Sequence, residues 1–182
     1  MKWLRRALLI QVFLSVTMPA QTNSSEKLVD MSFTVIGIAC RTSNAKEASG
    51  QGCIGRQWGR LVQEHLLDKI PERVDKSAIA VYTEYASDKD GEYTYVLGAK
   101  VKADAVVPAG MVKTTISAGR YAMFTSDRGP VQQVVVDTWK RIWSAPKDRL
   151  GGDRAYKSDF EIYDERAIDP SNAQIDIFIG VR

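Results

Sequence analysis

Apolar positions recur along this chain with two periods, and the switches between them mark out its elements. Phe33 to Arg41, rich in Val and Ile, reads as a strand. A Gly- and Ser-containing loop, Thr42 to Gly52, follows. Ile54, Trp58, Leu61, Val62 and Leu66 then fall at three- and four-residue spacing, which predicts a helix with one apolar face, stopped by Pro71. Ala78 to Tyr85 returns to strand character. Ser87 to Gly91 is a hairpin turn by composition, with Asp90-Gly91 its strongest signal. Tyr93 to Val101 is the return strand, with Tyr93, Tyr95, Leu97, Ala99 and Val101 alternating onto one face.

The same order repeats after the link Ala103 to Gly110. Met111 to Ile116 and Arg120 to Thr125 read as strands joined across Ser117-Ala118-Gly119. Pro130 opens a helix whose buried face carries Val131, Val134, Val135, Trp139 and Ile142, and which Pro146 and Gly151-Gly152 end. Asp159 to Tyr163 and Gln174 to Val181 complete the unit as strands. Landmarks keep nearly constant offsets: Trp58 to Trp139 is 81 residues, Gly98 to Gly180 is 82, and Tyr85 to Tyr163 is 78. Two similar halves, about residues 32–102 and 111–182, account for this. Halves of this kind pair their sheets about an approximate twofold axis and leave a cleft along the seam, a usual place for a small ligand.

Composition changes the picture at the N-terminus. The 182 residues, 45% hydrophobic and 26% charged, suit one globular domain. Residues 1–20 differ: Lys2, Arg5 and Arg6 precede an apolar run from Ala7 to Val16 and then Pro19-Ala20, the layout of a secretory signal peptide, too short to span a bilayer. A periplasmic or secreted protein follows from that layout. Met31, just before the first strand, offers a second start that would leave the protein cytoplasmic. Residues 21–31 are a polar, flexible lead-in. The net charge of +3 comes from the leader, and without Lys2, Arg5 and Arg6 the basic and acidic side chains balance. No basic stripe and no helix-turn-helix pattern appears, which argues against direct nucleic-acid binding. Cys40 and Cys53 read as buried free thiols, with pairing left open for an exported chain. Their spacing and the lone His65 do not make a metal site, and the pattern calls for no cofactor.

The candidate chemistry sits on the strand Asp159-Phe160-Glu161-Ile162-Tyr163. Alternation puts Phe160 and Ile162 on one face and Asp159, Glu161 and Tyr163 on the other. A carboxylate on a partly covered surface is costly to desolvate without a partner, and no Lys or Arg lies within the stretch, so a cation from outside the chain fits Glu161. Aromatic residues crowd the segments that approach the seam, among them Trp58, Tyr82, Tyr85, Tyr121, Trp139 and Tyr163, and ring faces attract cations. Taken singly, Trp58 and Trp139 lie on apolar helix faces and read as core. Tyr85 and Tyr163 read as equivalent strand positions whose hydroxyls need partners.

These residues carry a family resemblance. Phe33-Thr-Val-Ile-Gly-Ile, Arg41-Thr-Ser-Asn, Ile54-Gly-Arg-Gln-Trp58, Val81-Tyr-Thr-Glu-Tyr85 and Pro108-Ala-Gly-Met111 are similar to segments of the GyrI-like family. In the second half so are Ala118-Gly-Arg-Tyr121-Ala-Met-Phe124, Thr138-Trp-Lys-Arg-Ile-Trp143, Arg154-Ala-Tyr156 and Asp159-Phe-Glu-Ile-Tyr163. That family comprises small-molecule effector-binding domains, also found fused to AraC- and MerR-type multidrug-responsive regulators. The resemblance spans Ser32 to the C-terminus and implies an α+β fold of duplicated strand-helix-strand-strand units, antiparallel sheets and a central ligand cleft. It further implies Glu161 as anchor for an amphipathic cation, with Tyr163, Tyr85 and Trp139 as the wall, to which the crowding of rings at the seam adds Tyr82, Trp58 and Tyr121 as candidates. With a leader where regulators carry a DNA-binding domain, the expectation is a stand-alone small-molecule binder. Two alternatives stand beside it: a hydrolase of strained cyclopropane compounds in which Glu161 activates water, and an inhibitor of a protein partner.

Overall fold

The computed structural model describes residues 27–182; the leader read over residues 1–20 and the lead-in up to residue 26 lie outside the described residues. Six strands close into an antiparallel barrel: β1 (Lys27–Ser43), β2 (Ala78–Thr83), β3 (Glu92–Val101), β4 (Val112–Thr125), β5 (Arg154–Tyr163) and β6 (Asp176–Val181). Around the barrel their order is β1-β3-β2-β5-β6-β4. Helices α1 (Asn44–Ala48) and α2 (Ile54–Gln63) follow β1, and α3 (Val131–Ser144) and α4 (Lys147–Leu150) follow β4. Among the described residues no helix is long and apolar enough to cross a membrane.

Two expectations about strand boundaries change. The polar lead-in is not a separate segment from Lys27 onward, because Lys27–Asp30 pair with Met123–Arg120 and extend β1. Nor do Ser117-Ala118-Gly119 turn the chain. They lie inside β4, which continues as one strand, and form a bulge there: between the pairs Met31–Gly119 and Phe33–Ile116, Ser117 and Ala118 of β4 stand opposite the single Ser32 of β1. A bulge absorbs the local change of composition that reads as a turn.

The duplication predicted from the landmarks is present, with its axis fixed by the pairing register. The two seams between halves are β2–β5 and β1–β4. In the first, Ala80 faces Glu161; in the second, Thr34 faces Thr115. Each pair is 81 residues apart, the separation of Trp58 and Trp139, so both pairs lie on the pseudo-twofold axis. By the same offset the counterpart of Tyr163 is Tyr82, not Tyr85. Tyr85 has left the strand, beyond Glu84 in a left-handed conformation (φ 52°). Gly98 and Gly180 both mark close approaches, with a Cβ coming within 1.9 Å of the Ile36 carbonyl oxygen in one and 2.8 Å of the Ser158 carbonyl oxygen in the other. The register, however, makes Phe178, opposite Phe160, the counterpart of Gly98, opposite Ile79.

Each face of the closed sheet has its own core. Phe33, Val35, Ile79, Val81, Val96, Ile116, Tyr121, Phe160 and Phe178 come from strands alone and fill the barrel interior, where Phe160 and Phe178 stack with centroids 4.7 Å apart. The opposite face packs Ala80, Tyr82, Tyr95, Leu97, Ile177 and Ile179 against Leu61, Trp139, Ile142 and Leu150 of the helical layer. Strand alternation therefore sends Glu161 outward, under the helices, while its neighbours Phe160 and Ile162 point inward.

Cys40 and Cys53 are joined in a disulfide, which corrects the free-thiol reading. Their Cα atoms are 6.6 Å apart because the intervening loop folds back on β1 through α1. The carboxylate of Glu47, in α1, then accepts the Cys53 and Ile54 backbone N–H groups (2.8 and 3.3 Å) and caps the start of α2.

Candidate functional site

Glu161 occupies the axial position of β5, between the starts of the two helical layers, and is 1% exposed. Tyr82 Oη and Trp139 Nε1 both donate to its Oε1, at 2.8 and 2.6 Å, and Tyr163 Oη donates to its Oε2 at 2.7 Å. Tyr82 and Tyr163 reach it from the two halves across the axis, and Trp139 comes down from α3. The partner across the seam, Ala80, is small enough to leave the carboxylate its room. No Lys or Arg is paired with Glu161 among the described residues. The donors supply polarity without supplying a cation.

Burial pushes the Glu161 carboxyl above the ordinary glutamate range, while the bonds from Trp139, Tyr163 and Tyr82 pull it back in part. Burial and the neighbouring carboxylate in turn drive the Tyr82 and Tyr163 hydroxyls well above the usual tyrosine value, so both act as donors. Tyr95, whose ring lies 5.3 Å from that of Tyr82, adds a buried hydroxyl beside the Trp58 indole.

The other carboxylate of the strand behaves differently. Asp159 is fully buried and takes three bonds: from Arg154 Nη2 (2.5 Å), Tyr85 Oη (2.7 Å) and the Gly180 backbone N–H (2.9 Å). Arg154 comes from the same strand, through an irregularity between Arg154 and Asp159 where Tyr156 is left-handed (φ 49°). An internal cation thus neutralises Asp159 but not Glu161.

A cavity of about 260 Å³ opens above the axis between α2 and α3. Its aromatic walls are Tyr82, Tyr85, Tyr93, Trp139 and Trp143; Ile54 and Gly55 of α2 and Val135 and Val136 of α3 close the sides, and its charged lining is Glu47 with Lys89 and Arg154. Glu161 does not itself line it. The carboxylate lies one layer down, behind Tyr82 and Trp139, whose ring centroids are 5.0 Å apart.

Of the seven residues singled out in the sequence, Tyr82, Tyr85 and Trp139 line this cavity, and Glu161 and Tyr163 form its support. Trp58 braces that support edge-on against Tyr163, at 4.6 Å between centroids. Tyr121 is not brought to the site. It lies in the barrel interior, donates to the Ser117 carbonyl (3.0 Å) and packs on Phe160, because its position on β4 has the inward parity. Sequence reasoning missed Tyr93, Trp143, Glu47 and Arg154. Tyr93 and Trp143 carry the aromatic signal already in use, whereas Glu47 and Arg154 reach the site only through a loop and a strand irregularity that have no periodicity.

Residues 30–181 match the model of the Cass2 family, described as integron-associated effector binding proteins. Over 147 residues the chain is 34% identical to the putative transcriptional regulator protein YobU of Bacillus subtilis, covering 80% of this chain and 90% of that protein. It is 33% identical over 132 residues to the transcriptional regulator BrlR of Pseudomonas aeruginosa, covering 70% of this chain but only 46% of the regulator. Among solved structures, an integron cassette protein from the mobile metagenome of Vibrio cholerae superposes with a TM-score of 0.65 at 28% identity, over 87% of this chain and 96% of that one. The protein SAV2435 bound to tetraphenylphosphonium superposes with a TM-score of 0.67 over 87% of this chain and 94% of that one. At 16% identity that second likeness concerns the fold.

Proposed function

This chain belongs to the Cass2 family of integron-associated effector-binding proteins, with a GyrI-like fold, and on that premise we propose that it captures amphipathic cations of low molecular weight in the cavity above Glu161. The observation that carries the reading is a buried carboxylate with three neutral donors and no internal cation, behind a wall of rings. Each ring face offers a cation about 0.5–2 kcal/mol, at the upper end where water is excluded, and the charge behind the rings acts through a medium of low dielectric. The tetraphenylphosphonium in a fold neighbour supports the choice of a lipophilic cation. Turnover is less well served. Glu161 is 1% exposed with both oxygens engaged, whereas activating water requires contact with it.

Calorimetric titration with tetraphenylphosphonium tests the assignment. The wild type should bind, and Glu161→Gln should weaken binding by at least about tenfold, or ~1.4 kcal/mol, with its melting curve intact. Equal affinity in the two proteins would remove Glu161 from the site. Export through the leader belongs to the same proposal. The Cys40–Cys53 disulfide supports it, because such bonds persist in oxidising compartments. The intact mass of protein recovered from its host tests it: a mature chain beginning near residue 21 is expected, and one beginning at Met1 or Met31 would refute it.

A further inference from the structure

A second cavity, of about 350 Å³, adjoins the first and shares Lys89, Trp143 and Arg154 with it. Its lining is more basic, with Lys89, Lys147, Arg154 and Arg182 against a single acid, Asp153, which pairs with Lys147 at 2.6 Å. Arg154 stands at the junction. Its side chain is 9% exposed, and only Nη2 is used, on Asp159; Nε and Nη1 are buried without a partner among the described residues. The guanidinium lies over the Tyr156 ring, 4.4 Å from its centroid, which fixes its plane. Buried donors left unpaired are rare in folded proteins, since each forfeits its bonds to water. In a cleft bordered by basic side chains, the group that satisfies them is an oxygen anion, which guanidinium binds more strongly than it binds a neutral acceptor.

We propose that the Arg154 subsite takes the carboxylate of a zwitterionic aromatic ligand whose cationic end occupies the cavity above Glu161. The proposal rests on the cation reading above and narrows it. Asp159 and Glu161 are two residues apart on one face of β5, so the subsites are separated by about 7 Å along the strand. A simple lipophilic cation fills one subsite. A molecule carrying an acid about that far from its positive centre fills both.

Fluorescence polarisation with a rhodamine bearing a free carboxylate, compared with its methyl ester, separates the two ideas when tetraphenylphosphonium competition is run beside it. The full chain is expected to bind the free acid about tenfold more tightly than the ester, and to bind both the ester and tetraphenylphosphonium. Arg154→Lys keeps a cation for Asp159 and should lose most of that preference. If it fails to fold, the paired change Arg154→Met with Asp159→Asn removes both charges together and should abolish the preference while the ester still binds. Equal binding of acid and ester by the wild type overturns the carboxylate subsite and leaves the cation reading standing. Binding of the acid alone keeps the subsite and removes the cation reading, and binding of none of the three removes both. A preference that survives in the folded Arg154 variants overturns the assignment to Arg154.

Discussion

On the pseudo-twofold axis the first half places Ala80 and the second half Glu161, in facing positions of β2 and β5. Much around them is matched: Tyr82 answers Tyr163, Trp58 answers Trp139, and both tyrosines donate to the one carboxylate. The tryptophans have diverged, since Trp139 donates to Glu161 while Trp58 braces Tyr163. A symmetric scaffold with two equivalent acids would place two like charges in contact on its own axis. With the acid in one half only, the same scaffold holds a single negative charge and surrounds it with donors from both halves.

The largest expected effect comes from restoring the symmetry. Ala80→Glu would bury a second carboxylate opposite the first, and stability at neutral pH should fall by about 3–5 kcal/mol, the usual cost of an uncompensated buried charge. Acidification should recover part of the loss, because two adjacent carboxyls cannot both ionise cheaply. Urea melts at neutral and mildly acidic pH measure both. A fully stable Ala80→Glu protein would show that the alanine is not what makes room for Glu161.

The halves also differ in how each helix is tethered. The N-terminus of α2 is held by the Cys40–Cys53 disulfide and by Glu47, whereas α3 starts directly after Pro130. Closing a loop of this length contributes about 3 kcal/mol in the chain-entropy description. Replacing both cysteines with serine should lower stability by about that amount. Affinity for a cation should fall as well, since Ile54 and Gly55 wall the cavity. Unaltered melting would remove the tether from the account.

A smaller contrast separates the tryptophans. Trp139→Phe deletes a bond to a buried carboxylate, a loss of about 1.5–3 kcal/mol. Trp58→Phe, which removes packing against Tyr163 but no bond to Glu161, should cost less. The Trp139 change should also raise the Glu161 carboxyl further, since one of the donors that lower it is gone. Equal penalties for the two would place the energy in packing alone.

The fold and its duplication were legible because period and offset survive in the sequence. Trp58 and Trp139 are 81 residues apart whether or not the chain is folded. The Glu161 strand was legible for the same reason, since alternation alone sets its face. What escaped depends on register and on local irregularity. Tyr121 carries the right ring on the wrong parity, and a bulge at Ser117-Ala118 within a continuous β4 stood where composition suggested a turn. Tyr85 was matched to Tyr163 by a near-constant offset, but the left-handed Glu84 breaks the strand between them in parity, so Tyr82 is the true counterpart. Arg154 lies five residues from Asp159, and nothing in a regular strand would bring the two together. The irregularity that does so has no signature in composition.

The smallest effect is the most diagnostic, because it reports the charge of Glu161 directly. Burial raises its carboxyl above the ordinary range, so the folded chain favours the neutral acid more than the unfolded chain does. That contribution to stability is fully present below the usual glutamate value and is lost as pH rises through the raised one. A bound cation reverses the preference, so affinity for tetraphenylphosphonium should climb across the same mildly acidic window in which unliganded stability declines. Glu161→Gln should flatten both curves and leave the unliganded protein at least as stable as the wild type at neutral pH. Paired melts and titrations across that window test the linkage. A pH-independent affinity in the wild type would mean that the ligand does not sense the axial carboxylate, and the two halves would then differ at their centre without consequence for binding.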